Sequence, residues 1–130
     1  MFEHSFPLPP NVGSVRFSRE AVRSALAEYD KDTVEAAAIL TDELVTNAIM
    51  HGRPPIVLDI KEDHETVTVA VRDTGSGMPE AMTPRRGALS GRGLTIVDSM
   101  SDGWGVEQRP HGKSVWFQLN MRRVALGHVD

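Results

Sequence analysis

The chain has 130 residues, 40% of them hydrophobic and 25% charged, with a formal net charge of −4. That length suits one domain with a single core, and the acidic balance disfavours general nucleic-acid binding. Cysteine is absent, which excludes a disulfide framework and a thiolate metal site and fits a cytoplasmic protein. No apolar run approaches the roughly 20 residues of a membrane span. Met1 to Pro10 lacks the basic start and apolar middle of a signal peptide. The histidines, at 4, 51, 64, 111 and 128, never pair at i, i+3 or i+4, so a histidine metal site is not expected.

In chain order, Phe2 to Leu8 alternates loosely and reads as a first strand closed by Pro9-Pro10. Asn11 or Ser14 can cap a helix to about Tyr29, with Val15, Val22, Leu26 and Tyr29 near one face. Its Arg16, Arg19 and Arg23 read as a solvated face, with a docking face as the alternative. Asp32 or Thr33 can cap a second helix that reaches Met50 and stops at Gly52 and Pro54-Pro55. Residues 56–61 and the Val67, Val69, Val71 run alternate as two strands with a turn at 62–65. Residues 74–93 hold five glycines and two prolines, so they read as a loop long enough to be functional. Leu94 to Met100 reads as a short helix and Trp104 to Glu107 as a strand. Val115, Phe117, Leu119 and Met121 mark the last strand. Strands grouped with helices predict an α+β fold, a two-layer sandwich with helices on one face of a mixed, mostly antiparallel sheet.

The second helix carries three stripes. Val34, Ala37, Ala38, Thr41, Val45 and Ala48 should pack on the sheet. Glu35, Asp42 and Thr46 should face water. Ala36, Leu40, Glu43, Asn47 and Met50 form a third line with two polar groups set among apolar ones. Glu43 and Asn47 are i, i+4 neighbours and point the same way. A carboxylate there can take a proton from a hydroxyl, and an Asn carbonyl oxygen is a hard ligand suited to Mg²⁺. The plainer alternative is a half-exposed helix face with a hydrogen bond between the two.

Asp73 ends a strand pattern, so its carboxylate should stand at the mouth of the sheet, where it can accept from an exocyclic amine such as that of adenine. Gly75 and Gly77 permit a close-approaching backbone. Gly91-Arg92-Gly93 precedes the Leu94 helix, and free N–H groups at such a start attract phosphate. Arg85, Arg86 and Arg92 can add charge-assisted bonds. A Walker-type loop is absent: Gly112-Lys113-Ser114 lacks the upstream glycine and opens a strand.

Over about residues 32–121 these motifs, in this order, resemble the GHKL ATPase superfamily of gyrases, heat-shock chaperones, histidine kinases and mismatch-repair ATPases. The compact size and the run Asp42-Glu-Leu-Val-Thr-Asn-Ala-Ile-Met-His-Gly52 look most like its anti-sigma factor serine/threonine kinase branch. The resemblance implies a single ATP-binding domain over 1–130, with ATP between helix and loop. It makes Glu43 the general base and Asn47 the Mg²⁺ ligand. Asp73 would take the adenine amino group beside Gly75 and Gly77. Gly91, Gly93 and Leu94 would wrap the phosphates, with Arg92 among them. Ser114 stands where the family usually places a threonine, at the start of the last strand. The implied partners are a sigma factor and an anti-anti-sigma antagonist that is phosphorylated on serine or threonine, with no direct nucleic acid or membrane and a possible homodimer.

A non-catalytic module, in which ATP orders the 78–90 loop for a partner, is a second reading. A detached histidine-kinase catalytic domain is a third, although no helical hairpin bearing a phospho-accepting histidine precedes residue 32. Asp73-Thr-Gly-Ser76 also matches the aspartic protease string, but those proteins are nearly all-β and residues 14–50 read as helices.

Overall fold

The computed structural model describes residues 2–75 and 97–120. Strand β1 (Phe2–Leu8) leads into helices α1 (Gly13–Ala25) and α2 (Lys31–His51). Strands β2 (Ile56–Asp63) and β3 (Thr66–Asp73) follow, and residues 97–100 are helical. Strands β4 (Gly103–Arg109) and β5 (Gly112–Asn120) complete one sheet in the order β1-β2-β3-β5-β4. Each pairing is antiparallel, so the mixed character allowed for from sequence does not arise among the described strands.

Alternation along each strand separates the two faces of the sheet. Ile56, Leu58 and Ile60 of β2, Val67, Val69 and Val71 of β3, and Val115, Phe117 and Leu119 of β5 are all buried. Against them lie Val22 from α1, Leu26 just after its end, and Val34, Ala37, Leu40, Leu44, Val45 and Ala48 from α2. The stripe expected to pack on the sheet is therefore in place, Thr41 included, whose hydroxyl donates to the Ala37 carbonyl at 2.7 Å. On the helix-free face, Arg72 makes a two-point contact with Asp59 (2.6 and 3.1 Å), which also accepts from Ser5 at 2.6 Å.

Helix α2 extends about two residues beyond its predicted start. Its cap is Asp30 rather than Asp32 or Thr33: the Asp30 carboxylate accepts from the Thr33 N–H at 3.3 Å and the Thr33 hydroxyl at 3.1 Å. Helix α1 ends at Ala25, short of the predicted Tyr29, where the Leu26 N–H closes on the Val22 carbonyl. Its N-terminal residue Val12 has no side-chain cap, although Asn11 accepts from the Gly13 N–H at 3.0 Å.

The acidic stripe of α2 does not simply face water. Arg19 bonds Asp42 at 3.0 Å, and Arg23 bonds both carboxylate oxygens of Glu35 at 2.8 and 2.9 Å. These arginines clamp α1 along α2. Buried Ser14 and Ser18 also lie on α1, where small side chains let the helices approach closely.

Two tight turns fix the strand registers. Asp63 pairs with Thr66 across a turn in which His64 takes φ 57°. Arg109 pairs with Gly112, which has φ +145°. A Cβ at Gly112 would lie 2.0 Å from the Asp73 carbonyl oxygen, so both conformation and space demand glycine there.

Candidate functional site

Glu43 and Asn47 lie one turn apart on the C-terminal half of α2, both half-buried. Neither side chain makes a hydrogen bond among the described residues, so the pair does not bond to itself as the plainer sequence reading allowed. Burial, then the neighbouring Asp42 charge, pushes the Glu43 carboxyl above the ordinary glutamic acid value. A half-desolvated carboxylate of this kind is a stronger base once ionised.

At the end of α2, Gly52 turns the chain past Asp73. A Cβ there would meet the Asp73 carboxyl carbon at 2.6 Å and the Ala48 carbonyl oxygen at 2.7 Å. Gly52 is thus more than a helix stop; its bare backbone forms a wall against the Asp73 carboxylate. The link beyond it is tied to the end of β3, with the Thr74 N–H donating to the Arg53 carbonyl at 2.9 Å and the Thr74 hydroxyl to the Pro54 carbonyl at 2.8 Å.

Asp73 is buried at the mouth of the sheet, the position expected from sequence, and shares the inward parity of Val67, Val69 and Val71. Its Oδ1 accepts from the Gly75 N–H at 2.7 Å, the Arg53 N–H at 3.3 Å and the Lys113 ammonium at 3.1 Å. Oδ2 has no donor among the described residues and lies beside Gly52. One oxygen is therefore fixed by three donors while the other is left as an acceptor.

Lys113 was not picked out in the sequence. Strand register explains its role: Asp73 pairs with Lys113, and Arg72 pairs with Ser114. Lys113 shares the inward parity of Val115, Phe117 and Leu119, whereas Ser114 shares the outward parity of Trp116 and Gln118. Ser114 thus lies on the helix-free face with Arg72 and Glu107, away from Asp73. Extending the alternation two positions back from Val115 would have pointed to Lys113.

The structure brings together Asp73, Gly75, Gly52 and Lys113, with Glu43 and Asn47 on the helix that ends at Gly52. Gly77, Gly91, Arg92, Gly93 and Leu94 lie outside the described residues. Beyond them, Val97 is fully buried, the Trp104 indole N–H donates to Asp98 at 2.9 Å, and the Ser101 N–H donates to the Val97 carbonyl at 3.0 Å. These contacts hold residues 97–101 against the sheet.

Asn47 presents a free amide oxygen, a donor that suits Mg²⁺ shared with water and phosphate. Among the described residues no group of three or more His, Asp or Glu side chains is placed to hold a metal unaided. No helix among them is long and apolar enough to cross a membrane.

The model of the histidine kinase-like ATPase domain family matches residues 8–119. Among solved structures, the RsbU and RsbW domains of Rv1364c from Mycobacterium tuberculosis superpose with a TM-score of 0.71 at 18% identity, covering 96% of this chain and 35% of that one. The histidine kinase domain of the blue-light activated histidine kinase EL346 from Erythrobacter litoralis gives 0.53 at 21% identity, covering 84% and 60%. The chain thus spans about a third and three fifths of these two structures, and at such identities they show a shared fold. No curated protein matches the chain. The family match spans both the Glu43 helix and the Asp73 strand and implies that the domain binds ATP: the chain belongs to the histidine kinase-like ATPase domain family.

Proposed function

We propose that this protein is an ATP-dependent serine/threonine kinase of the anti-sigma type, which sequesters a sigma factor and phosphorylates an anti-anti-sigma antagonist. The observation that carries the catalytic part is the unbonded Glu43–Asn47 pair on the helix that abuts Asp73 through Gly52. The motif run of α2 supports the branch, and the fold shared with the RsbU and RsbW domains is consistent with it.

In this reading Asp73 Oδ2 accepts the adenine amino group while Oδ1 is held by Gly75, Arg53 and Lys113. Gly75 and Gly77 approach the base, and Gly91, Arg92, Gly93 and Leu94 approach the phosphates. Asn47 would hold Mg²⁺, which would offset triphosphate charge when bound. Glu43 takes the proton of the partner's hydroxyl as that oxygen bonds the γ-phosphorus and ADP leaves. Most of the rate gain in such a transfer is positioning and electrostatics. Ser114 has no part in this pocket, and Lys113 takes the place beside Asp73.

Capture of partners with Mg·ATP, read by mass spectrometry, tests the proposal. A sigma factor together with a small protein bearing phosphoserine or phosphothreonine is the expected result. Phosphohistidine on the partner, recognised by its acid lability, would overturn the serine/threonine assignment. The variant Glu43→Ala should retain ATP and lose transfer; an unchanged transfer rate would remove Glu43 from its role.

A further inference from the structure

A second concavity lies at the opposite end of the sheet from Asp73. It is a groove of about 520 Å³ between β1 and the C-terminal half of α1. Its floor is Glu62. In β2 the inward positions run Ile56, Leu58, Ile60 and then Glu62, so a carboxylate ends an otherwise apolar stripe. Glu62 is only 4% exposed. Its Oε1 accepts from the Tyr29 hydroxyl at 2.8 Å. Its Oε2 is buried and has no hydrogen-bond partner among the described residues. A buried carboxylate oxygen without a donor is costly, and a ligand able to supply one would recover that cost.

The lining says what kind of donor fits. Glu28 also lines the groove, and among the described residues neither lysine nor arginine does. One wall is aromatic: His4 stacks on Phe6 with ring centroids 6.2 Å apart, and Phe6 meets Phe17 edge-on at 5.7 Å. Aromatic faces beside a carboxylate attract an organic cation with an apolar stem. The volume lies within the range of small-molecule sites.

The groove is separate from the nucleotide site. Glu62 pairs with Val67, and Asp73 lies six residues further along β3, roughly 20 Å at the rise of a strand. We propose that this groove is a second ligand site, one that takes an organic monocation, a guanidinium or ammonium on an apolar stem, with its head on Glu62.

Amide NMR titrations of the full chain test this. The probes are phenethylguanidinium, the capped dipeptide Phe-Arg, and phenethyl alcohol as the neutral control. At least one cation should give saturable shifts in β1, the end of α1 and Glu62, and the alcohol should not. Tighter binding of the dipeptide would assign the cation to a partner protein's arginine, and tighter binding of the free guanidinium to a small metabolite. Glu62→Gln should weaken binding at least about tenfold, as loss of a charge-assisted bond requires. Ala21→Phe fills the groove from α1 without touching the carboxylate, and should abolish binding in a chain that still folds. No saturable shift up to the order of 10 mM cation, where affinity is negligible, would overturn the proposal. Equal binding of the alcohol, or unchanged binding in a folded Glu62→Gln or Ala21→Phe variant, would overturn it as well.

Discussion

Replacing Lys113 by methionine isolates the ion pair at the sheet mouth. The Lys113 ammonium lies 3.1 Å from Asp73 Oδ1, and the two side chains are only 4% and 1% exposed. At that burial water cannot replace the lost partner. Removing one member of a buried pair generally costs about 3–5 kcal/mol. Asp73 would keep its bonds from the Gly75 and Arg53 N–H groups, and methionine would keep most of the lysine stem volume. The lower end, about 3 kcal/mol, is therefore expected. Urea slopes of about 1–3 kcal/mol/M convert this to a midpoint lowered by roughly 1–3 M, measured by circular dichroism. The double variant with Asp73→Asn should lose less than the sum of the two singles, because the second change removes the charge stranded by the first. A midpoint change under about 0.3 M for Lys113→Met, or strict additivity in the cycle, would refute a buried, coupled pair.

Gly52→Ala sets a methyl against the Asp73 carboxyl carbon and the Ala48 carbonyl, neither of which can easily retreat. It should destabilise by about 1–3 kcal/mol and weaken ATP binding, read by urea titration and calorimetry. The raised Glu43 value means the native state holds that proton more tightly than the unfolded chain, so this group's contribution to stability is lost as pH rises through the native value. Glu43→Gln should therefore raise the urea midpoint at neutral pH, and the gain should vanish below the ordinary glutamic acid value; a gain that persists in acid would rule out the titration as its cause. Asp30→Ala removes the cap of α2 and should cost about 1 kcal/mol, whereas Asp32→Ala should cost less, since Asp32 makes no cap bond.

Much of the fold was legible because period-two and helical patterns were both strong. The alternations at 56–60, 67–71 and 115–119 gave β2, β3 and β5, and the small apolar stripe of α2 gave the sheet-facing side. The cap of α2 was misplaced because Asp30, Asp32 and Thr33 are all good capping residues, and only the backbone path distinguishes them. The Arg19–Asp42 and Arg23–Glu35 contacts lay hidden for a different reason: each side reads as a solvated helix face until the two helices are packed together. The places of Glu43 and Asn47 on one side of α2, and of Asp73 at the end of β3, were readable from residue type and spacing. Lys113 is less legible, because the family pattern points to a hydroxyl at the start of the last strand. The hydroxyl of Ser114 is one residue out of phase with the carboxylate it was meant to serve.

That phase has a mutational consequence. Ammonium and hydroxyl sit on adjacent rungs of β5, pointing to opposite sides. Adding or deleting one residue in the turn before Gly112 would not exchange them, because Val115, Phe117 and Leu119 anchor the ladder from within. Gly112, wedged against the Asp73 backbone, blocks local slippage from the other end. Which side chain of β5 stands beside Asp73 can therefore be changed only by substituting position 113 itself, so the strand's contribution to the mouth of this sheet is controlled by the codon for a single residue.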